Sequence, residues 1–160
     1  MQLKKGMNVG DTTFKVHLDG YNLLPLLTGQ TKESPRKSST QVLYFNDDSD
    51  LVGLRYDNWK FVFEEQRITG TLRIWAEPFV TLRMPKLFNL RTDPFERADV
   101  TSNTYYDWWM DHAFICVPAQ HIVGEFLATF KEFPPSQEAG SFSLKRVLEK
   151  LAEGASGGSR

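Results

Sequence analysis

A chain of 160 residues with 41% hydrophobic side chains, including 12 Phe, 5 Tyr and 4 Trp, has enough apolar mass for one domain with an ordinary core and is excluded from the disordered class. Its 19 basic and 20 acidic residues leave a net charge of −1, so neither nucleic acid nor an anionic membrane is favoured electrostatically as a partner. The single cysteine, Cys116, excludes an internal disulfide, and no apolar run in the sequence reads as long enough to span a bilayer.

The N-terminus, Met1 to Gly6, is basic but has no apolar stretch behind it. It does not read as a secretory signal, and as written the chain is expected in the cytoplasm. Residues 1–40 form a lead-in. One strand is expected at Thr13–Leu18, and Asp19 is placed to cap a short helix, Tyr21–Leu27, that stops at Thr28-Gly29. Gln30–Thr40 is polar and Pro-containing and reads as an exposed loop.

A β-rich block follows within residues 41–152. Val42–Asn46, Leu51–Tyr56 and Trp59–Glu65 are dense in β-branched and aromatic residues. They are separated by Asp47-Asp48-Ser49-Asp50 and by Asp57-Asn58, residues that tolerate positive φ, so two successive hairpins are expected. Thr69-Gly70 reads as a turn before a strand at Thr71–Ala76, and Leu87–Leu90 supplies one more strand. Thr104–Ile115 reads as an aromatic-rich helix. Pro118 fits the first turn of another, Pro118–Phe130, with Ile122, Val123, Phe126, Leu127 and Phe130 at helical spacing. Pro134-Pro135 ends it. Ser143 is placed to cap a last helix with Leu144, Val147, Leu148 and Leu151 on one face, and residues 153–160, with the Gly- and Ser-rich stretch Gly154–Arg160, read as a flexible tail. The expected class is α+β: a roughly four-stranded antiparallel sheet packed with C-terminal helices.

Four groups of residues could carry chemistry or binding. Asn46-Asp47-Asp48-Ser49-Asp50 is acidic, but it lacks the spaced ligands, central Gly and closing Glu of a calcium loop and reads as a hairpin turn. His112, Cys116 and His121 fall on both sides of the Pro118 break and do not amount to the four ligands of a closed zinc site. Asp111-His112 has no identifiable serine nucleophile beside it. Tyr105, Tyr106, Trp108 and Trp109 form the densest aromatic cluster, which reads either as core and domain-interface packing or as an interaction surface.

Lys86 to Val100 is the most informative stretch: a strand Leu87-Phe88-Asn89-Leu90, a turn at Asp93-Pro94 and a charged exit Glu96-Arg97. It resembles the L-Y-N-L-x-x-D-P-x-E signature near the C-terminus of type I sulfatases. Asp19-Gly20-Tyr21-Asn22-Leu23-Leu24-Pro25-Leu26-Leu27-Thr28-Gly29 is similar to the stretch that closes the large domain of those enzymes. Leu54-Arg55-Tyr56-Asp57-Asn58-Trp59-Lys60 is similar to the hairpin that follows it. Val117-Pro118-Ala119-Gln120 and Phe126-Leu127-Ala128-Thr129-Phe130-Lys131-Glu132-Phe133-Pro134-Pro135 resemble a bacterial arylsulfatase branch. The resemblance runs in order from about Asp11 to Leu151. It implies the smaller C-terminal domain of that family, an antiparallel sheet with a packed C-terminal helix.

The family's chemistry uses a formylglycine made from Cys or Ser in C/S-x-P-x-R, with a divalent cation held by Asp and Asn residues of the large N-terminal domain. None of these is carried over to this chain. Cys116-Val117-Pro118-Ala119-Gln120 lacks the arginine and lies downstream of the signature, so Cys116 reads as a packed thiol. No catalytic, cofactor-binding or metal-binding residue is therefore expected, and no cofactor. The leading reading is a non-catalytic sulfatase C-terminal-domain-like module, partnered by a second copy of itself or by a sulfatase large domain. The alternatives are the C-terminal part of an active arylsulfatase whose catalytic domain is a separate chain, and a small-ligand binding module.

Overall fold

A computed structural model describes residues 2–18, 20–36, 41–68, 70, 72–134 and 139–157. The lead-in holds a one-turn helix α1 (Gln2–Lys5), a small hairpin of β1 (Met7–Val9) and β2 (Thr12–Phe14), and a short helix α2 (Leu24–Leu27). The strand expected at Thr13–Leu18 is thus shorter, because only Thr12–Phe14 finds a partner ladder. Helix α2 begins three residues later than Tyr21. The Asn22 carboxamide oxygen accepts the Leu24 N–H at 3.0 Å, while the expected cap, Asp19, lies outside the described residues. Beyond residue 14 the lead-in is held by side chains: Lys15 pairs with Glu132 at 3.6 Å and His17 packs on the Phe133 ring at 5.5 Å. Residues 37–40 of the expected polar loop also lie outside the description.

The main sheet is an antiparallel meander of β3 (Val42–Phe45), β4 (Leu51–Tyr56), β5 (Trp59–Glu65) and β6 (Val80–Asn89), so the fold is α+β with a four-stranded antiparallel sheet. Its first two connections turn where the sequence offers residues that tolerate positive φ, Ser49 at 70° and Asp57 at 53°. Leu43, Leu54, Phe61 and Leu87 are aligned across all four strands and share one face. Leu54, Phe61 and Leu87 are at most 1% exposed. Gly53 is required beside them, because a Cβ there would stand 2.8 Å from the Phe61 carbonyl oxygen.

The strand expected at Thr71–Ala76 is instead a 3-10 turn, Leu72–Trp75. Both edges of β5, the strand it follows, are already taken by β4 and β6, so this segment cannot pair back onto β5. The Gln66 side chain closes the turn by donating to the carbonyls of Ile74 and Glu77, each at 2.8 Å. The strand expected at Leu87–Leu90 is the end of β6, a ten-residue strand that tolerates Pro85 because it lies at the sheet edge.

Helices α3 (Ala98–Thr101), α4 (Tyr105–Asp111) and α5 (Cys116–Ala128) follow, with 3-10 turns at Ala113–Ile115 and Thr129–Lys131. The single helix expected over Thr104–Ile115 is broken after Asp111, and α5 starts two residues ahead of Pro118. Proline is tolerated there, since the N–H groups of a first turn have no intrahelical acceptor. Tyr105, Trp109, Ile115, Ala119 and Ile122 bury themselves on the sheet and complete the core. Ala113–Lys131 is a helical stretch of 19 residues apolar enough to cross a membrane by length and composition, which corrects the expectation that no run is that long. Its Ile115, Ala119 and Ile122 are spent on the sheet.

The last helix, α6 (Leu144–Gly157), starts directly after Ser143 and takes in residues 154–157 of the expected flexible tail. Its Leu144, Leu148 and Leu151 remain largely exposed.

Candidate functional site

The signature segment is wired into the sheet by its own polar residues. Asn89 Oδ1 accepts the Asn58 side-chain amide at 2.9 Å and the Arg91 N–H at 3.1 Å, tying the β4–β5 turn to the end of β6. The Asp93 carboxylate accepts the Arg97 N–H at 3.0 Å and the Ala98 N–H at 2.8 Å, supplying the otherwise unpaired donors at the start of α3. Glu96, at φ 55°, turns its carboxylate onto Lys60 of β5 at 2.6 Å. Lys60 also lies 5.3 Å over the Tyr44 ring. Asp93→Ala is expected to cost about 1 kcal/mol, the typical value of a lost cap, read as a lower denaturant midpoint.

Beside the turn, Lys86 bridges Glu65 at 2.5 Å and Asp99 at 2.7 Å. Burial pulls its ammonium down, but hydrogen bonds and charge from the two carboxylates outweigh it and hold Lys86 above the ordinary lysine value. This triad fastens α3 to the sheet.

Helix α4 divides the aromatic cluster among three tasks. Tyr105 and Trp109 enter the core and seal the edge of β6. The Leu90 N–H donates to the Asn58 carbonyl at 2.7 Å, which sets the alternation of the β5–β6 ladder so that Leu87 turns its N–H and C=O away from β5. The Tyr105 hydroxyl meets both, accepting from the Leu87 N–H at 2.9 Å and donating to its carbonyl at 3.1 Å. The Trp109 indole donates to the Pro85 carbonyl at 3.0 Å. Trp108 stacks on His112 at 4.6 Å and lies 6.1 Å from Trp59. Tyr106 points outward.

Tyr106, Met110, Phe114 and Val117 recur at i, i+4, i+8 and i+11 along α4, the 3-10 turn and the start of α5, and each is 65–69% exposed. The helical spacing of this stripe is legible in the sequence, but density of aromatics alone does not separate the inward pair Tyr105 and Trp109 from the outward residues.

The other residues weighed from sequence are spent locally. Asn46 Oδ1 accepts the N–H groups of Asp48 and Asp50 at 3.0 and 2.8 Å, and the acidic run forms the β3–β4 turn. Hydrogen bonds from Ser141 hold the exposed Asp48 carboxyl below its ordinary value, and Gly140 donates to the Asp47 carbonyl at 3.0 Å. The cluster thereby anchors the chain leading into α6. His112 faces the Trp108 carbonyl through Nδ1 at 2.7 Å, while His121 pairs with Glu125 at 3.5 Å on the outer side of α5. Cys116 packs against the core, and burial pushes its thiol up, away from the thiolate that a nucleophile or metal ligand needs. Among the described residues, no group of three His, Cys, Asp or Glu side chains is placed to hold a metal ion. No protein-family model matches the chain, and no curated protein matches it.

Proposed function

We propose that this chain is a non-catalytic interaction module of the sulfatase C-terminal-domain type, which works by docking its α4–α5 outer surface onto a protein partner. The observation that carries the reading is the Tyr106–Met110–Phe114–Val117 stripe: four large apolar side chains, each about two-thirds exposed, along α4, the 3-10 turn and the start of α5, whose Tyr105, Trp109, Ile115 and Ala119 are core. A contiguous stripe of this kind is an interface signature, whereas scattered exposed apolar residues are not. The signature residues Asn89, Asp93 and Glu96 support the same reading, because each is engaged in holding strands and helix together.

The nearest partner is a second copy of the chain, since the same stripe on two copies is self-complementary about a two-fold axis. Sedimentation velocity across the micromolar range is expected to show concentration-dependent dimers. Phe114→Asp, at an exposed position, is expected to restore the monomer, with an unfolding midpoint equal to that of the wild type at concentrations where the wild type is itself monomeric. A wild-type chain that stays monomeric throughout that range overturns self-association. The second reading, the C-terminal part of an arylsulfatase with its catalytic domain on a separate chain, places a sulfatase large domain on the same stripe. Sulfatase activity gained on mixing the two chains would select it.

A further inference from the structure

The two edges of the main sheet are treated differently. The β6 edge is sealed by Tyr105 and Trp109. At the other edge, the alternation that turns Leu87 outward makes Leu54 and Phe61 a hydrogen-bonded pair, and therefore turns the Leu43 N–H and C=O away from β4. Among the described residues, no neighbouring element meets them. An open edge of four consecutive β-formers, Val42-Leu43-Tyr44-Phe45, with no charge and no proline, is a template for another strand.

That edge is the floor of a cavity of about 730 Å³. Leu43 and Phe45 line one side and Ile122 and Phe126 of α5 the other, while Tyr21 and Arg36 of the lead-in form a third wall. A strand residue takes up about 3.3 Å of length, 4.8 Å of width and 10 Å of thickness, or on the order of 150 Å³, so the cavity matches four or five residues of a single chain. Arg36 lies 5.5 Å over the Tyr21 ring and makes no ion pair among the described residues. Glu125, also in the lining, lies across the cavity on α5, with its carboxylate 3.5 Å from the His121 ring and largely exposed to solvent.

We propose that this groove binds an extended peptide segment, which adds a fifth strand to the sheet along β3, packs alternate apolar side chains against the joined Phe45 and Phe126 rings, 5.7 Å apart, and places a carboxylate on Arg36. Backbone bonds to Leu43 supply affinity, and the pocket with the Arg36 guanidinium supplies selection. The surface is distinct from the α4–α5 stripe.

The test uses the full chain against a displayed library of random heptapeptides, followed by fluorescence anisotropy of the enriched sequences. The expected consensus alternates apolar residues and contains one acidic side chain or requires the free C-terminal carboxylate. N-methylation of the peptide nitrogen facing Leu43 is expected to weaken binding at least tenfold, because it removes a backbone hydrogen bond and blocks close approach of the strands, and Arg36→Gln, at an exposed position, is expected to weaken it about two- to fivefold. Phe114→Asp is expected to leave the affinity unchanged, which separates this site from the proposed dimer surface. The proposal is overturned if no alternating sequence is enriched, if methylation at every position leaves affinity intact, or if the chain's own concentration competes with peptide, which would make β3 a self-pairing edge.

Discussion

Phe61→Ala is expected to destabilise the chain by about 3–5 kcal/mol, the range for removing a buried aromatic from a core that cannot collapse around the gap. Phe61 is 1% exposed and occupies the middle of the row Leu43–Leu54–Phe61–Leu87. Strand pairing fixes it on both sides, and Phe63 stacks against it with ring centroids 6.3 Å apart. Neither backbone can move in to fill the space without breaking a ladder. Urea unfolding should show a lower midpoint with unchanged slope, because the surface exposed on unfolding is nearly the same. A loss below about 1 kcal/mol would place the core elsewhere.

The second large effect is expected at Tyr105. Tyr105→Phe keeps the ring, its packing on Phe88 and its place in α4, yet leaves the Leu87 N–H and C=O without the hydroxyl that satisfies both. The cost is the desolvation of a buried donor and acceptor, about 1–3 kcal/mol. The effect has a pH signature. Burial raises the Tyr105 phenol above its ordinary value of 10.0, so at alkaline pH the unfolded chain loses this proton before the folded chain does. Stability is therefore retained in full below pH 10 and falls as pH rises toward the folded value. Urea midpoints measured on both proteins should converge above pH 10, because the phenylalanine variant lacks this titration. Parallel pH profiles would show that the hydroxyl is not the edge seal.

These two residues also show where the sequence was legible and where it was not. β4 and β5 were readable to the residue, since Leu51–Tyr56 and Trp59–Glu65 combine β-branched and aromatic side chains with a turn pair, Asp57-Asn58, that fixes their register. Local chemistry sufficed there. Leu72–Trp75 has equal β-propensity, but β5 has no free edge to offer it, and edge availability is a property of the assembled sheet. The early part of β6 was hidden by Pro85 and by the exposed alternation of Val80–Met84, which only an edge strand accommodates. The break between α4 and α5 was expected at Pro118 and falls instead at His112, whose ring is drawn onto Trp108 and Trp59.

The same contrast holds for the candidate surfaces. That Asp93-Pro94 makes a turn with Glu96-Arg97 as its charged exit was visible in the sequence. That Asp93 and Glu96 answer α3 and Lys60 required the fold. Asn58 and Asn89 are 31 residues apart, and nothing local pairs them. The open β3 edge is likewise a consequence of pairing order, because the strand's own residues do not distinguish an edge from an interior position.

The proposed function holds that a chain resembling a sulfatase C-terminal domain works by association, without that family's chemistry. Its most direct test is steady-state hydrolysis of an aryl sulfate by the purified full chain with calcium present. The expected rate equals the uncatalysed background for the wild type and for Cys116→Ala alike. Turnover by the wild type that disappears in Cys116→Ala would contradict the account.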